Sequence, residues 1–112
     1  MKFLKDDLKA SQDLSAAALS FTTTYSKAFK LNQIFIKFST NVTENITITL
    51  DSKNGASYDT VIRSKGLSSE SSFLYKPDGD ANFFAGDNIK IQCTNANGVG
   101  SAFVIVKSQE VS

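Results

Sequence analysis

Strict alternation of apolar and polar residues is the feature that most constrains what this chain can fold into. Over residues 45–52 (NITITLDS), Ile46, Ile48 and Leu50 share one parity, and threonines occupy the positions between them. Residues 88–93 (NIKIQC) repeat the pattern. A period of two is typical of a β-strand that buries one face and exposes the other. The pattern therefore predicts strands whose apolar faces close one core.

Turn-forming residues divide the chain from residue 14 onward into short segments of this kind. Asn54-Gly55 and Asn97-Gly98 favour turns with positive φ, and turn signals recur about every 8 to 12 residues, which is typical of a sandwich or barrel. The predicted strands lie at about 16–23, 29–39, 45–52, 60–64, 72–75, 83–84, 88–94 and 101–107. We therefore predict an all-β domain over residues 14–112, an antiparallel β-sandwich of jelly-roll or immunoglobulin-like type with about eight strands.

Two details of strand pairing follow from the same patterns. In the strand at 29–39 the apolar residues change parity at Asn32-Gln33, so a β-bulge or bend is predicted there. The strands at 88–94 and 101–107 are joined by the short segment NANGVG. Such a connection favours an antiparallel hairpin between these two strands.

The segment NFFAGD (82–87) is predicted to turn a sharp corner before a strand. Phe83 and Phe84 point to opposite sides of a short strand, so one of them is expected to enter the core. Gly86 allows a backbone conformation that other residues avoid. Asp87 is expected to accept hydrogen bonds from the backbone of its own turn.

The last predicted strand, SAFVIVK (101–107), is apolar on both faces. Phe103 and Ile105 form the face opposite to the valines. A strand that is buried on both faces lies in the middle of a sheet under covering segments, or it meets another subunit. We take Phe103 and Ile105 as candidate interface residues.

Residues 1–13 are predicted to form an N-terminal arm outside the sandwich. Leu4 and Leu8 are spaced i, i+4, which fits one or two helical turns or an extended arm. The segment is either a loosely ordered terminus or an arm that docks on a neighbouring chain through Phe3, Leu4 and Leu8. Its charges interrupt the apolar run that a secretory signal needs, so no such signal is expected.

The composition argues against several classes of function. The chain has no histidine, one arginine, one cysteine and a net charge of +1. It thus lacks the commonest general base and metal ligand, and its charge predicts no strong attraction to nucleic acid or an anionic membrane. No stretch reaches the roughly 20 apolar residues of a membrane span. Cys93 has inward parity, which favours a buried structural thiol. We predict no enzymatic activity and no cofactor.

Residues 78–87 fit either a calcium site or simple turn formation. Asp78, Asp80 and Asn82 have the spacing of the first half of a calcium loop. Phe83 stands where the sharp-turn glycine is required, and no glutamate follows at the required distance. Turn formation explains these residues, together with Asp87, better than a metal does.

Two further alternatives rest on tyrosines and carboxylates. Tyr25, Tyr58 and Tyr75 would form a sugar-stacking platform if they were exposed together, which keeps a carbohydrate- or surface-binding module open. Asp51 and Asp59 flank the Asn-Gly turn and would suit glycoside hydrolysis, although solvated loop residues are the favoured interpretation.

Residues 56–106 resemble a group of small β-sandwich proteins encoded among the structural genes of tailed bacteriophages, and the layout of strands extends the resemblance over residues 16–107. The motifs that carry it are Tyr58-Asp59-Thr60-Val61, Tyr75-x-Pro77-Asp78, Phe84-Ala85-Gly86-Asp87-x-Ile89-x-Ile91 and the closing apolar strand.

The resemblance implies a structural component of a phage virion, made in the host cytoplasm. It would be a capsid decoration (cement) protein or a subunit of a tail, neck or fibre. Such a protein binds by shape, as a homo-oligomer for which a trimer is one candidate, and its partner is the major capsid or tail protein. The resemblance implies no chemistry, no nucleic acid and no membrane.

Overall fold

Two antiparallel sheets pack face to face in the computed structural model, which describes residues 3–77 and 82–111. The strands within these ranges are β1 (Phe3–Asp13), β2 (Leu19–Thr22), β3 (Phe29–Val42), β4 (Asn45–Asp51), β5 (Thr60–Gly66), β6 (Glu70–Tyr75), β7 (Asn82–Phe83), β8 (Asn88–Cys93) and β9 (Ser101–Val111). A single 3₁₀ turn, Ala56–Tyr58, is the helical element of the described residues, and they include no helix that could cross a bilayer. The predicted β-sandwich is confirmed.

The first half of the chain pairs with the second half. β1 pairs with β9, β2 with β8, β3 with β6 and β4 with β5. β9 also pairs with β3, and β8 also pairs with β4. The paired strands therefore form two separate sheets, which pack as two layers. Sheet A has the order β1-β9-β3-β6, with β7 also paired to β3, and sheet B has the order β2-β8-β4-β5. This double-sheet arrangement is the jelly roll, one of the two types that the sequence left open.

The predicted hairpin between the last two strands is wrong. β8 lies in sheet B between β2 and β4, and β9 lies in sheet A between β1 and β3. Both edges of each strand are therefore occupied by other partners. The connecting segment 94–100 crosses from one sheet to the other, with positive φ at Gly98 and Gly100. A short connection with turn residues serves such a crossing as well as it serves a hairpin.

Residues 3–13 form a strand and not helical turns. β1 pairs with β9 without a register shift, from Phe3 opposite Val111 to Asp13 opposite Ser101. Leu8 is partly buried and packs against the core. Pairing satisfies the backbone groups that face β9 along the whole segment, whereas an isolated helix of this length is marginal in water. The segment is extended, as in one of the two predicted forms, but it is an edge strand of sheet A and not an arm outside the sandwich.

The inward-facing side chains of both sheets fill the space between them. The bulge predicted at Asn32 is confirmed, because the register of β3 against β9 shifts between Leu31 and Gln33. The shift lets apolar residues on both sides of it face inward. The buried core consists of Leu14, Leu19, Tyr25, Phe29, Leu31, Ile34, Ile36, Phe38, Val42, Ile46, Ile48, Leu67, Ile89, Ile91, Cys93, Ala102, Val104 and Val106.

The corner at residues 82–87 forms as predicted. Phe83 packs against the core with its ring centroid 5.1 Å from that of Phe29, whereas Phe84 is 68% exposed. Gly86 has a φ of 94°. The Asp87 carboxylate accepts hydrogen bonds from the Phe84 N–H (3.1 Å) and, in addition, from the Lys53 N–H (2.8 Å). The buried carboxylate of Asp87 therefore holds two loops together.

The Glu44 carboxylate anchors the segment that crosses between the sheets. Glu44 is buried, and its carboxylate accepts hydrogen bonds from the Thr94 hydroxyl (2.8 Å), the Ala96 N–H (2.9 Å) and the Asn97 N–H (2.9 Å). Burial by itself would raise the pKa of Glu44. The hydrogen bonds outweigh burial, so the pKa is lowered from its ordinary value of 4.5.

We expect Glu44→Gln to destabilise the fold by about 1–3 kcal/mol at neutral pH, because an amide accepts these hydrogen bonds less well than a carboxylate. A carboxyl group whose folded pKa is lowered stabilises the protein above its unfolded pKa, and this contribution disappears as the pH falls through the folded value. Urea unfolding should therefore show a gap in stability between wild type and variant at pH 7 that narrows as the pH falls below the ordinary pKa of 4.5.

The matched control is Glu110→Gln, since the Glu110 carboxylate accepts no hydrogen bond from the part of the chain that the structure describes. It should leave the unfolding midpoint within experimental error. A Glu44→Gln variant as stable as wild type at pH 7 would show that the crossing segment does not depend on this carboxylate.

Candidate protein interface

The outer faces of the two sheets differ in polarity. In sheet B the outward positions of β2, β4 and β8 are polar: Ser20, Thr22, Thr47, Thr49, Lys90 and Gln92. Val61, on the edge strand β5, is an apolar exception and is 57% exposed. This half of the surface has the composition of an ordinary solvated β-sheet face.

Four large apolar side chains meet on the outer face of sheet A, and we call them the outer patch: Phe35, Leu74, Phe103 and Ile105. Phe35 lies directly opposite Leu74 of β6 on one side and opposite Ile105 of β9 on the other. Phe103 is two residues before Ile105 on the same face. Leu74 and Phe103 are 48% and 46% exposed. Directly opposed residues in a sheet contact each other, so the four form one continuous surface across three strands.

A shallow depression of about 400 Å³ adjoins the outer patch between β1 and β9. Its rim includes Lys9, Ser11, Phe103 and Ile105. Contiguous exposed apolar surface on a sheet is typical of a site that contacts another protein. The outer patch is therefore the part of the described surface best suited to bind a partner.

The predicted interface residues fall into three groups. Phe103 and Ile105 lie together in the outer patch. Leu8 does not join them, because it packs against the core from the opposite face of β1. Phe3 and Leu4 lie in β1 opposite Val111 and Glu110, and their side chains are outside the described part of the chain.

Sequence reasoning missed Phe35 and Leu74. Phe35 lies between the buried Ile34 and Ile36, and the parity of these neighbours already turns it outward. Leu74 has the opposite parity to the partly buried Phe73. The parity signal was present, but parity does not reveal which strands are neighbours. Only the strand order brings these residues beside β9.

The three tyrosines considered for a sugar-stacking platform are not exposed together. Tyr25 is buried, its ring lies 3.7 Å from that of Phe29, and its hydroxyl donates a 2.7 Å hydrogen bond to the Ser108 hydroxyl. Tyr58 is 63% exposed on the 3₁₀ turn, and Tyr75 is half-buried in β6. Since Tyr25 is a core residue, the three rings do not share a surface.

Cys93 lies in the core, as its parity predicted. Burial raises the pKa of its thiol to about 11, and the nearby charge of Glu44 acts in the same direction. A thiol with a raised pKa forms little of the reactive thiolate at neutral pH. Cys93 is thus a packing residue.

The residues that the structure describes contain no group of three or more His, Cys, Asp or Glu that could hold a metal ion. Asp78 and Asp80, from the calcium alternative, lie outside the described residues. Asp59, from the hydrolase alternative, accepts a 2.8 Å hydrogen bond from the Ser52 N–H and so stabilises its own loop.

Comparison with known proteins yields structural likenesses at low similarity. No protein-family model matches the chain, and no curated protein matches it. The crystal structure of PirA superposes with a TM-score of 0.48 at 10% identity, covering 93% of this chain and 90% of PirA. The core of Drosophila NLP, whose structure addresses pentamer formation and histone binding, gives 0.45 at 11%, covering 91% and 96%. Both TM-scores are below 0.5, so neither likeness carries an argument about function.

Proposed function

We propose that the protein is a non-enzymatic structural subunit that attaches to a larger protein assembly through the outer patch. In the setting that the sequence resemblance implies, the assembly is a phage virion, and the protein is a decoration protein or a tail, neck or fibre subunit. The binding partner is then the major capsid or tail protein.

The difference between the two outer faces carries this proposal. Sheet B exposes hydroxyls, an amide and a lysine on its central strands, whereas sheet A exposes Phe35, Leu74, Phe103 and Ile105 in one group. Burying one large apolar side chain stabilises a contact by about 1.5–3 kcal/mol relative to leaving it exposed. Leu74 and Phe103 are about half exposed, and Phe35 and Ile105 are exposed to a smaller extent. Together they supply a few kcal/mol on burial, which anchors a subunit whose contacts are repeated by symmetry.

The proposal includes self-association, for which the free edge of β1 is the best-suited contact. Within the described residues no strand pairs with the outer edge of β1, whose eleven residues keep a regular register. The edge strand β5, in contrast, has a register shift between Val61 and Arg63. Long, regular edges are templates for strand pairing, and bulges disrupt such pairing.

Sedimentation velocity at micromolar concentration should give a mass that is a whole multiple, of at least two, of 12.1 kDa. We expect this multiple to be unchanged in Phe103→Asp, because the outer patch is on a different surface from the β1 edge. A monomer would remove self-association from the proposal while leaving attachment through the outer patch untouched.

Attachment can be tested by co-sedimentation with particles purified from cells that carry the gene. Phe103→Asp should lower the affinity at least about tenfold, a factor that corresponds to roughly 1.4 kcal/mol. The variant loses the apolar contact of a half-exposed ring and, in addition, must bury a carboxylate against the partner. Leu74→Asp should have a similar effect. The matched control is Val61→Asp, which places the same charge at an exposed apolar position of sheet B and should bind as wild type does.

Folding must be checked for each variant by circular dichroism and thermal unfolding. Phe103→Asp should remain folded because the side chain is exposed, whereas Val104→Asp places a charge in the core and should unfold the protein. The proposed function is overturned if particles bind folded Phe103→Asp and Leu74→Asp as tightly as they bind wild type. It is also overturned if the purified particles do not contain the protein.

A further inference from the structure

We propose that the outer patch binds an acidic surface of a different protein, with Lys9 and Lys37 as its cationic contacts. This inference rests on the proposed function and names the chemistry of the partner. The observation behind it is the distribution of charge around the outer patch.

Lys9 and Lys37 stand directly beside the outer patch. Lys9 of β1 lies opposite Ile105, and Lys37 of β3 lies opposite Phe103. Both lysines are exposed, and neither forms an ion pair with any carboxylate in the described part of the chain. Each positive charge therefore lies within one strand spacing of an apolar contact residue.

Two further lysines lie on the outer face of sheet A. Outward positions of β3 and β9 include Lys30 and Lys107. The register of β1 places Asp7 opposite Lys107 of β9, and Asp13 lies at the far end of β1. Its carboxylate already accepts hydrogen bonds from the Ser15 N–H (2.9 Å) and the Ser15 hydroxyl (2.7 Å). The positive charge directly beside the outer patch is therefore that of Lys9 and Lys37.

This charge pattern disfavours a second copy of the chain as the occupant. In a two-fold contact the same surface meets itself. Lys9 and Lys37 from one copy would then approach Lys9 and Lys37 from the other copy, and like charges across an interface are unfavourable. A surface with an apolar centre and aspartates or glutamates around it would instead pair with Lys9 and Lys37 while it buries the outer patch.

The test uses the full-length protein and a yeast-displayed library of random twelve-residue peptides. Sorting against wild type should enrich peptides that combine Asp or Glu with Leu, Ile, Val or Phe. Binding of the enriched peptides should weaken at least tenfold with the double variant Lys9→Glu/Lys37→Glu, and also with Phe103→Asp. It should weaken as the salt concentration rises. The matched control is Lys90→Glu, a charge reversal on the outer face of sheet B, which should bind as wild type does.

Three results would overturn the acidic partner. The enriched peptides could be neutral or basic, the double variant could bind them as tightly as wild type, or no peptide could be enriched. Self-association that disappears in Phe103→Asp would assign the outer patch to a second copy and would also overturn it.

Co-sedimentation separates this inference from the proposed function. If Phe103→Asp releases the protein from particles but Lys9→Glu/Lys37→Glu does not, attachment through the outer patch stands and the acidic partner is wrong. If both variants stay bound to the particles, the proposed function and the acidic partner are both wrong.

Discussion

The position of β9 between β1 and β3 is the constraint on which the rest of the structure depends. Through these two pairings the last strand of the chain joins the first strand and one of the longest. The inward side chains Ala102, Val104 and Val106 complete the core, and the outward side chains Phe103 and Ile105 complete the outer patch. Because side chains alternate along a strand, one register fixes both surfaces at once. A slip of one residue would exchange the core for the candidate interface.

Period-two patterning predicted the class of fold because alternation is a local property. The inward faces of β4 and β8, the bulge at Asn32 and the corner at Gly86-Asp87 could be read directly from neighbouring residues. Strand order is a different matter, since the pairing of β1 with β9 joins residues about a hundred positions apart. Local turn signals do not encode such pairings, which is why the segment NANGVG was assigned to a hairpin and not to a crossing between sheets.

The candidate interface could be predicted only in part for the same reason. Phe103 and Ile105 are recognisable because their strand is apolar on both faces. Phe35 and Leu74 look like ordinary strand residues until β3 and β6 are placed beside β9. The sequence left open whether Tyr25 is exposed, and the structure buries it with its hydroxyl donating a hydrogen bond to Ser108. Burial of a polar aromatic depends on a partner distant in sequence.

The account of the outer patch is tested most directly by hydroxyl-radical footprinting, with mass spectrometry, of the protein free and bound to particles. Binding should lower the oxidation rates of Phe35, Leu74 and Phe103 severalfold, while the exposed rings of Tyr58 and Phe84, which lie outside the outer patch, keep their rates. Unchanged oxidation of the outer patch in the bound protein, together with protection of another surface, would contradict the account.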